Sequence, residues 1–264
     1  MPELPDVETV ARRLRRAMVR RRIQNVKVLS PPTVRSPSPT AFARRLLGRR
    51  VRQVDRRGKY LLISLSGDLV LVAHLRMTGD FEIVAPGEEM HPSTRAVFTV
   101  AGREVRFVDQ RRLGHMDLIA RDDLTQFPGV RSLGVEPLSP EFTPRRLRGL
   151  LAGRRGGLKA ALLRQDLIAG IGNIYADEIL WQARVHPKRT VASLSSREFS
   201  RLHRQIRGVL ARATRSLSRY GEPVGDLLAV RERGGRCPRC GRELAVETIA
   251  GRTTYYCRHC QRGR

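Results

Sequence analysis

Apolar residues near the start of the chain recur every three or four positions, which predicts an amphipathic helix. Arginines fill the other face of this segment. Pro5 suits the first turn of such a helix because its missing N–H group costs nothing there, and Asp6 suits the positive end of the helix dipole. The pattern therefore places Pro2 and Glu3 just before a helix N-terminus. The apolar positions are Val7, Val10, Ala11, Leu14 and Met18.

Between residues 23 and 120 the hydrophobic pattern changes to that of strands. Alternating and continuous apolar runs occur in "RIQNVKVL", "YLLISLSGDLVLVAHL", "RAVFTVAGREVRFV" and "HMDLIA". Gly67 and Gly102 interrupt them at turn-like positions. These runs predict an antiparallel β-sandwich. The stretch "SPPTVRSPSPT" within this region is expected to be a proline-rich loop.

After the segment "PGVRSLGVEPLSPEFTP" the pattern becomes helical. Thr143 and Pro144 provide a cap and a first-turn proline for "RRLRGLLAG". Ser195 and Glu198 have the spacing of a capping box ahead of a long run with helical periodicity. The sequence thus predicts a β-rich N-terminal part, a helical middle and a small cysteine-rich module that begins near Arg236.

The 264 residues carry a formal net charge of +26, from 51 Lys and Arg against 25 Asp and Glu. Such an excess opposes compaction through self-repulsion and favours a polyanionic partner, of which nucleic acid fits best. We find no lipidation signal, no signal peptide and no aliphatic run long enough to span a bilayer. A cytoplasmic, nucleoid-associated protein is therefore expected.

All four cysteines lie near the end of the chain, as "CPRC" and "CRHC" with 16 residues between the pairs. This is the spacing of a zinc site, and four thiolates form a closed structural site. Two disulfides are the alternative, which the lack of an export signal disfavours. The expected zinc ligands are Cys237, Cys240, Cys257 and Cys260.

A glycine-containing turn precedes a further helical pattern in "LIAGIGNIYADEILW", where Gly170 and Gly172 precede Asn173. Glycines allow a ligand to approach the backbone, and helix N-terminal amides bind phosphate. With the basic residues of "RRGGLK" just upstream, this predicts a phosphate-binding element. An ordinary turn between two helices is the alternative. The basic residues are Arg154, Arg155 and Lys159.

Lysine is scarce, with four lysines among the 51 basic residues. Lysine can give up its proton and act in acid–base chemistry, whereas arginine stays protonated. Each lysine is therefore a candidate for a role that needs an amine, although chance retention is the alternative for any one of them. They are Lys27, Lys59, Lys159 and Lys188.

Separate motifs along the whole chain together resemble the formamidopyrimidine-DNA glycosylase / endonuclease VIII family of base-excision repair. They are "MPELPDVET", "RRGKYLL", "HLRMTG", "DQRRLG", "AGIGNIYADE" and "CPRC…TTYYCRHCQ". The resemblance implies an α+β multidomain protein. It implies a helix and β-sandwich catalytic domain over residues 1–132, a helix–two-turns–helix DNA-binding domain over 133–226 and a zinc finger over 227–264. It also implies a monomer that acts on double-stranded DNA with damaged bases or abasic sites.

The same resemblance implies a bifunctional glycosylase and abasic-site lyase that works through an amine. Removal of Met1 exposes the secondary amine of Pro2, which attacks the sugar C1′, expels the base and forms an iminium, and β,δ-elimination then nicks the strand. Glu3 corresponds to the acid/base residue of the family. Lys59 corresponds to a residue that reaches the lesion phosphate or assists elimination. Arg252, near the tip of the zinc hairpin, corresponds to a phosphate-contacting arginine assigned to the second elimination, although locally a solvated arginine is the alternative.

Further positions match the DNA contacts of the family. An excised nucleotide must leave the base stack, and three side chains fill the gap. Met77 and Arg111 match the first two, and Leu113 stands where the family has phenylalanine. The remaining expected DNA contacts are His91, Arg154, Lys159 and Asn173.

The sequence departs from the family pattern at several positions. Asp6 replaces a glutamate, Gln110 replaces a proline, and Leu113 is an apolar wedge that stacks less well than an aromatic ring. The segment "SRYGEPVGDLLAVRERGGRC" is shorter than the loop that closes over an everted purine in 8-oxoguanine-specialised members. Ring-opened purines, 8-oxoguanine, oxidised pyrimidines and abasic sites all remain candidate substrates. A non-catalytic, zinc-containing nucleic-acid-binding protein is the alternative function.

Overall fold

The computed structural model describes residues 1–154 and 156–263. They form two compact units, each with its own hydrophobic core. The first unit comprises Met1–Pro2 and Asp6–Arg131, and the second comprises Glu3–Pro5 and Ser132–Arg264. The short segment that follows Pro2 thus belongs to the second unit, which the sequence did not indicate.

Helix α1 (Leu4–Met18) confirms the first sequence prediction. The residues predicted to face the core are all buried, from Val7 to Met18. On the opposite face, Glu8 pairs with Arg12 at 3.1 Å and lies 3.4 Å from Arg56 of the neighbouring sheet. Helix α1 therefore begins where the prolines and acids of the N-terminus favour it.

The first unit also contains two β-sheets. The order in the four-stranded sheet is β1–β7–β8–β6, and all its pairs are antiparallel. The order in the five-stranded sheet is β2–β9–β5–β4–β3, in which β2 pairs with β9 in parallel. The sandwich is therefore antiparallel except at this edge. The strands are β1 (Ile23–Val28), β2 (Val34–Ser36), β3 (Val51–Arg57), β4 (Tyr60–Leu65), β5 (Leu69–His74), β6 (Gly79–Val84), β7 (Thr94–Val100), β8 (Arg103–Asp109) and β9 (His115–Ala120).

The proline-rich stretch is not a loop throughout, so this expectation was wrong. It contains strand β2 and the start of helix α2 (Pro39–Leu46). Ser38 caps this helix by accepting a hydrogen bond from the amide of Ala41, and Pro39 occupies the first turn. Proline thus initiates regular structure here.

The sequence also missed strands β3 and β6. Strand β3 lies at the edge of its sheet, and its two fully buried residues, Val51 and Val54, are three positions apart and break the alternation expected of a strand. Strand β6 is the other edge, with only Gly79 and Phe81 fully buried. Edge strands with few buried residues carry a weak periodic signal.

The second unit is helical, as predicted. The side chain of Thr143 accepts a hydrogen bond from the amide of Arg146, which confirms the predicted cap. Ser195 and Glu198 form both bonds of the predicted capping box. The helices beyond the two sheets are α3 (Pro128–Arg131), which ends the first unit, and α4 (Pro144–Leu151), α5 (Leu158–Leu163), α6 (Asn173–Gln182) and α7 (Ser196–Tyr220) of the second.

A β-hairpin of β10 (Ala245–Ile249) and β11 (Arg252–Tyr256) forms the cysteine-rich module. Its small core contains Trp181 of α6 together with Leu227, Leu244 and two of the cysteines. The hairpin therefore packs on helix α6 inside the second unit. Among the described residues, no helix combines the length and the apolar character needed to cross a membrane.

Candidate active site

Backbone hydrogen bonds hold the side chain of Glu3 in place. Its side chain is buried, and its carboxylate accepts hydrogen bonds from three backbone amides at the start of helix α6. The donors are Gly172 at 2.8 Å, Ile174 at 2.8 Å and Tyr175 at 3.2 Å. A carboxylate is favourable at this end of a helix because of the exposed N–H groups and the dipole. Helix α6 therefore fixes the orientation of Glu3.

The two glycines of "AGIGN" leave room for the N-terminal segment. A Cβ atom at Gly172 would lie 2.3 Å from Cδ of Glu3, and one at Gly170 would lie 2.8 Å from Cβ of Leu4. Gly170 also has φ +92° and accepts a hydrogen bond from the amide of Leu4 at 3.0 Å. Glycine is required at both positions for this close approach.

The glycine turn was expected to present amides to a phosphate, and the structure assigns those amides differently. The N–H groups of Gly172, Ile174 and Tyr175 already donate to Glu3. The anion at this helix terminus is therefore a side chain of the same protein. Neither alternative from the sequence, a phosphate clamp or an ordinary turn, described this arrangement.

Lys159 was expected to contact a DNA phosphate, and the structure corrects this expectation. Its side chain is 0 % exposed, and its ammonium donates to the hydroxyl of Thr254 at 2.6 Å and lies 2.6 Å from a carboxylate oxygen of Asp177. Burial lowers the pKa of Lys159, and Asp177 opposes this effect. A buried ammonium in an ion pair cannot reach a phosphate, so Lys159 acts within the protein.

Asp177 extends this ion pair into a network that joins helix α6 to strand β11. Its second carboxylate oxygen accepts two hydrogen bonds from Arg231, at 2.8 and 3.0 Å, and one from the amide of Tyr255 at 3.2 Å. The guanidinium of Arg231 lies over the ring of Tyr255 at 4.8 Å. The sequence analysis missed Asp177, since an acidic residue within a helix gives no signal of burial.

Asn173 and Arg252 lie close to this network. The side-chain amide of Asn173 donates to the carbonyl of Thr253 at 3.0 Å, which ties the first residue of α6 to β11. Arg252 begins β11 and is exposed, directly after a turn with positive φ at Ala250 and Gly251. The structure thus brings Glu3, Asn173 and the strand that carries Arg252 to the same end of helix α6.

The four cysteines fit a structural zinc ion. Their sulfur atoms all lie within 4.8 Å of one another, with separations of 3.9 Å for Cys237–Cys260 and 3.5 Å for Cys240–Cys257. Tetrahedral zinc with Zn–S bonds of about 2.3 Å requires sulfur atoms about 3.8 Å apart. Disulfides would need about 2 Å, so that alternative is wrong. Four thiolates would complete the coordination of the ion, which gives it a structural role.

In the first unit, two loops carry the residues expected to replace an everted base. Met77 is 37 % exposed and Leu113 is 46 % exposed, and Arg111 is also exposed. Arg76 and Arg112, the residues directly before Met77 and Leu113, both have left-handed backbones, with φ of +55° and +54°. Both loops therefore turn sharply just before an exposed apolar side chain.

Asp109, which the sequence analysis missed, holds these loops together. Its buried carboxylate accepts hydrogen bonds from the hydroxyl of Thr78 at 2.5 Å and from the amides of Arg111 at 3.2 Å and Gly114 at 2.6 Å. A Cβ atom at Gly114 would lie 2.7 Å from the ring of Phe107. One carboxylate thus fixes the loop of Met77 relative to that of Arg111 and Leu113.

Lys59 and Pro2 also belong to the first unit. Lys59 follows Gly58 in the turn between β3 and β4, and only 8 % of it is exposed. Pro2 is half-buried and immediately precedes the fixed Glu3. Their predicted chemical roles stay predictions.

The remaining predicted contacts lie on exposed surfaces. His91 accepts a hydrogen bond from the amide of Ser93 at 3.0 Å, and Arg154 follows helix α4. Arg155 lies outside the described residues.

Two histidines near the Met77 loop are a further feature that the sequence analysis did not single out. The rings of His74 and His115 stack at 5.7 Å, and Tyr60 contacts His74 edge-on at 4.6 Å. Burial and the nearby Arg76 lower the pKa of His74 to about 3. Burial and Arg35 lower the pKa of His115 to about 4. Both imidazoles are therefore neutral at physiological pH.

Comparison with known proteins gives consistent matches over the whole chain. Three family models match: the formamidopyrimidine-DNA glycosylase N-terminal domain over residues 1–116, its H2TH domain over 133–219, and a zinc finger found in FPG and IleRS over 234–263. The formamidopyrimidine-DNA glycosylase of Symbiobacterium thermophilum is 46% identical, over 99% of this chain and 89% of the relative. That of Moorella thermoacetica is 44% identical, over 92% of this chain and 93% of the relative.

Solved structures of an Fpg protein are also similar to this chain. Lactococcus lactis Fpg in complex with DNA containing an abasic site has a TM-score of 0.90 and 29% identity, over 99% of this chain and 100% of that chain. The same protein with DNA containing N7-benzyl-Fapy-dG has a TM-score of 0.90 and 30% identity, with the same coverage.

Proposed function

Because the chain belongs to the formamidopyrimidine-DNA glycosylase family, and is thus a DNA glycosylase of base-excision repair, we propose that it excises oxidised bases through the amine of Pro2 and then cleaves the strand. After loss of Met1, the amine nitrogen bonds to the sugar C1′ as the bond from C1′ to the base breaks. The bond from C1′ to the ring oxygen then breaks as that oxygen takes up a proton, which opens the sugar ring and leaves an iminium between C1′ and the amine nitrogen. The iminium acidifies the C2′ proton. Loss of that proton expels the 3′ oxygen, and a second elimination expels the 5′ oxygen.

Several features of the N-terminus support this chemistry. An α-amino group has a pKa of about 8, so a useful fraction is neutral at physiological pH. Glu3, the next residue, is held by three amides of helix α6. A fixed carboxylate beside the nucleophile suits the transfer of a proton to the sugar ring oxygen as the ring opens. The single observation that carries the proposal is this orientation of Glu3.

We further propose that the substrate is duplex DNA with an everted damaged nucleotide. Solved structures of Lactococcus lactis Fpg contain DNA with an abasic site, a Fapy-dG or an oxidised pyrimidine. Exposed Met77, Arg111 and Leu113 are suited to fill the space that such a nucleotide leaves. Arg252 and Asn173 would contact phosphates, and His91 and Arg154 would extend that contact. A nucleoid location follows from a DNA substrate.

Lys59 would contact the phosphate of the damaged nucleotide or assist elimination. Lysine is scarce in this chain, and Lys59 lies in a tight turn. Both observations support a role that needs an amine. The structural zinc would keep the hairpin folded and so hold Arg252 in place. Zinc itself takes no part in the proposed chemistry, because four thiolates leave no open position.

Borohydride trapping tests the amine mechanism. Purified protein, shown by mass spectrometry to lack Met1, is incubated with duplexes that contain 8-oxoguanine, a ring-opened purine, an oxidised pyrimidine or an abasic site. We expect a reduced protein–DNA adduct on the Pro2 peptide, and the ranking of the four duplexes gives the lesion preference. The Pro2→Gly variant, with a primary amine, should retain some lyase activity and lose most base excision. No adduct with any duplex would overturn the proposal and leave a DNA-binding protein.

A further inference from the structure

Helix α7 carries a row of basic side chains that the proposed chemistry does not use. The helix contains seven arginines and a single glutamate. Five of the arginines are exposed and define what we call the arginine stripe. The residues of the stripe are Arg197, Arg204, Arg212, Arg215 and Arg219.

The five residues lie on one face of the helix. At 100° per residue they fall within a sector of about 80°, and they extend over about 33 Å at 1.5 Å per residue. The buried residues of α7, among them Leu202, Ile206 and Ala213, lie on the opposite side. The stripe is therefore straight and faces solvent, while the other side of the helix packs on the core of the second unit.

The positive charge of the stripe is not neutralised within the part of the chain that the structure describes. The only acid of α7, Glu198, pairs with Arg189 at 2.5 Å. None of the five guanidinium groups has a carboxylate oxygen within 4 Å among the described residues. Like charges three or four residues apart on a helix destabilise it, so the stripe opposes the folding of its own helix. A polyanion bound along the stripe would remove this cost.

Two further features favour phosphate as the bound group. A shallow surface depression of about 460 Å³ at the start of the stripe is lined by two serines and three arginines, Ser196, Arg197, Ser200, Arg201 and Arg204. Arginine and serine side chains are typical donors to DNA phosphates. In the middle of the stripe stands Gly208, where an added Cβ would contact only a guanidinium nitrogen of Arg212, at 3.3 Å. Glycine inside a helix is less favourable than alanine, and no packing explains its presence here.

We propose that the arginine stripe binds a second segment of duplex DNA, distinct from the one that carries the lesion. The stripe is as long as about ten base pairs of duplex DNA. Over that length the duplex presents one phosphate charge per about 1.7 Å. A protein bound at a lesion is surrounded by other segments of the same polymer at high effective concentration. The second site would let the enzyme pass directly from one segment of DNA to another.

The test is the number of duplexes bound per chain. A fluorescent 12-base-pair duplex without a lesion is titrated into the full-length protein at 50 mM salt, and the complexes are counted by sedimentation velocity. We expect two duplexes per chain for the natural protein. The triple variant Arg204→Gln, Arg212→Gln, Arg215→Gln should bind the second duplex at least 10-fold more weakly, with a salt slope for that step lower by about 3.

A matched control removes the same charge elsewhere. Arg44, Arg45 and Arg50 are exposed residues of the first unit, and their triple glutamine variant should still bind two duplexes. One duplex on the natural protein, two tight duplexes on the stripe variant, or an equal loss in the control would each overturn the proposal. So would binding of the stripe to phosphatidylserine vesicles in place of a second duplex. The borohydride adduct with short lesion duplexes should be the same in all three proteins, which separates this test from that of the amine mechanism.

Discussion

At the scale of single residues, the position of Glu3 depends on the lack of a side chain at Gly172. Gly172 has no side chain, and the carboxylate of Glu3 occupies the space where a Cβ atom would be. The amides that bind Glu3 follow it by 169 to 172 residues. The sequence singled out both the acid and the glycine turn, but no local pattern could show that the two bind each other.

The variant Gly172→Ala tests this contact. The added Cβ would lie 2.3 Å from Cδ of Glu3, so the carboxylate must move away from the helix amides. Acid–base catalysis contributes about 100-fold or more, and we expect base excision in single-turnover experiments to fall by about that factor. Gly149→Ala in α4 is the control, because nothing lies within 4 Å of its added Cβ. Equal excision by both variants would show that the position of Glu3 does not matter.

His74 and His115 make stability depend on pH. Their pKa values are lowered to about 3 and about 4 in the folded protein, from about 6.5 in the unfolded chain. The unfolded chain therefore binds more protons between pH 4 and 6.5, and the free energy of unfolding falls as the pH falls through this window. Each histidine contributes a slope of at most about 1.4 kcal/mol per pH unit.

The measurement is urea unfolding of the first unit at several pH values. The variant His115→Gln should reduce the slope of unfolding free energy against pH by up to one proton relative to the natural protein. An equal slope in the two proteins would contradict the burial of His115.

At the scale of elements, the sequence predicted best where the signal was local. The caps at Thr143 and Ser195 bind amides only three residues away, and both helices begin as expected. Strands β3 and β6 were missed because edge strands bury few side chains, and helix α2 because its prolines indicated a loop. Lys159 was assigned to DNA because its charge, and not its burial, is visible in a sequence.

The buried ion pair of Lys159 and Asp177 joins helix α5 to helix α6, and variants can test it. Asp177→Asn would leave the ammonium of Lys159 buried without a counter-charge, which costs about 3–5 kcal/mol of unfolding free energy. Lys159→Met should cost less, because Asp177 keeps both hydrogen bonds from Arg231. Thermal and urea unfolding of the two variants measure the difference. A more stable Asp177→Asn protein would contradict the pairing.

At the scale of the whole molecule, the two units have separate cores, and they should respond separately to loss of metal. The first unit contains no part of the cysteine cluster, while the hairpin of the second packs around it. Folding energy from structural zinc is local to the module that binds it. The proposed nucleophile and the zinc module therefore belong to units that can be perturbed independently.

Removal of zinc by a chelator provides the measurement. Hydrogen exchange should become fast for the amides of β10 and β11, while exchange in β4 and β5 stays slow. Binding of abasic-site DNA should weaken, because the proposed phosphate contact of Arg252 would be lost, and readdition of zinc should restore binding. Slow exchange in the hairpin after metal loss would show that zinc does not hold it.

The attachment of Glu3 to helix α6 also sets a time order during protein synthesis. Its partners emerge from the ribosome about 170 residues later, which at roughly 5–20 residues per second is roughly 10 to 30 s. During that interval the first residues of the nascent chain have none of these amides to bind, so an aminopeptidase would have time to remove Met1, as the proposed mechanism requires. The enclosure of Glu3 would then complete the proposed site only after the amine of Pro2 had been exposed.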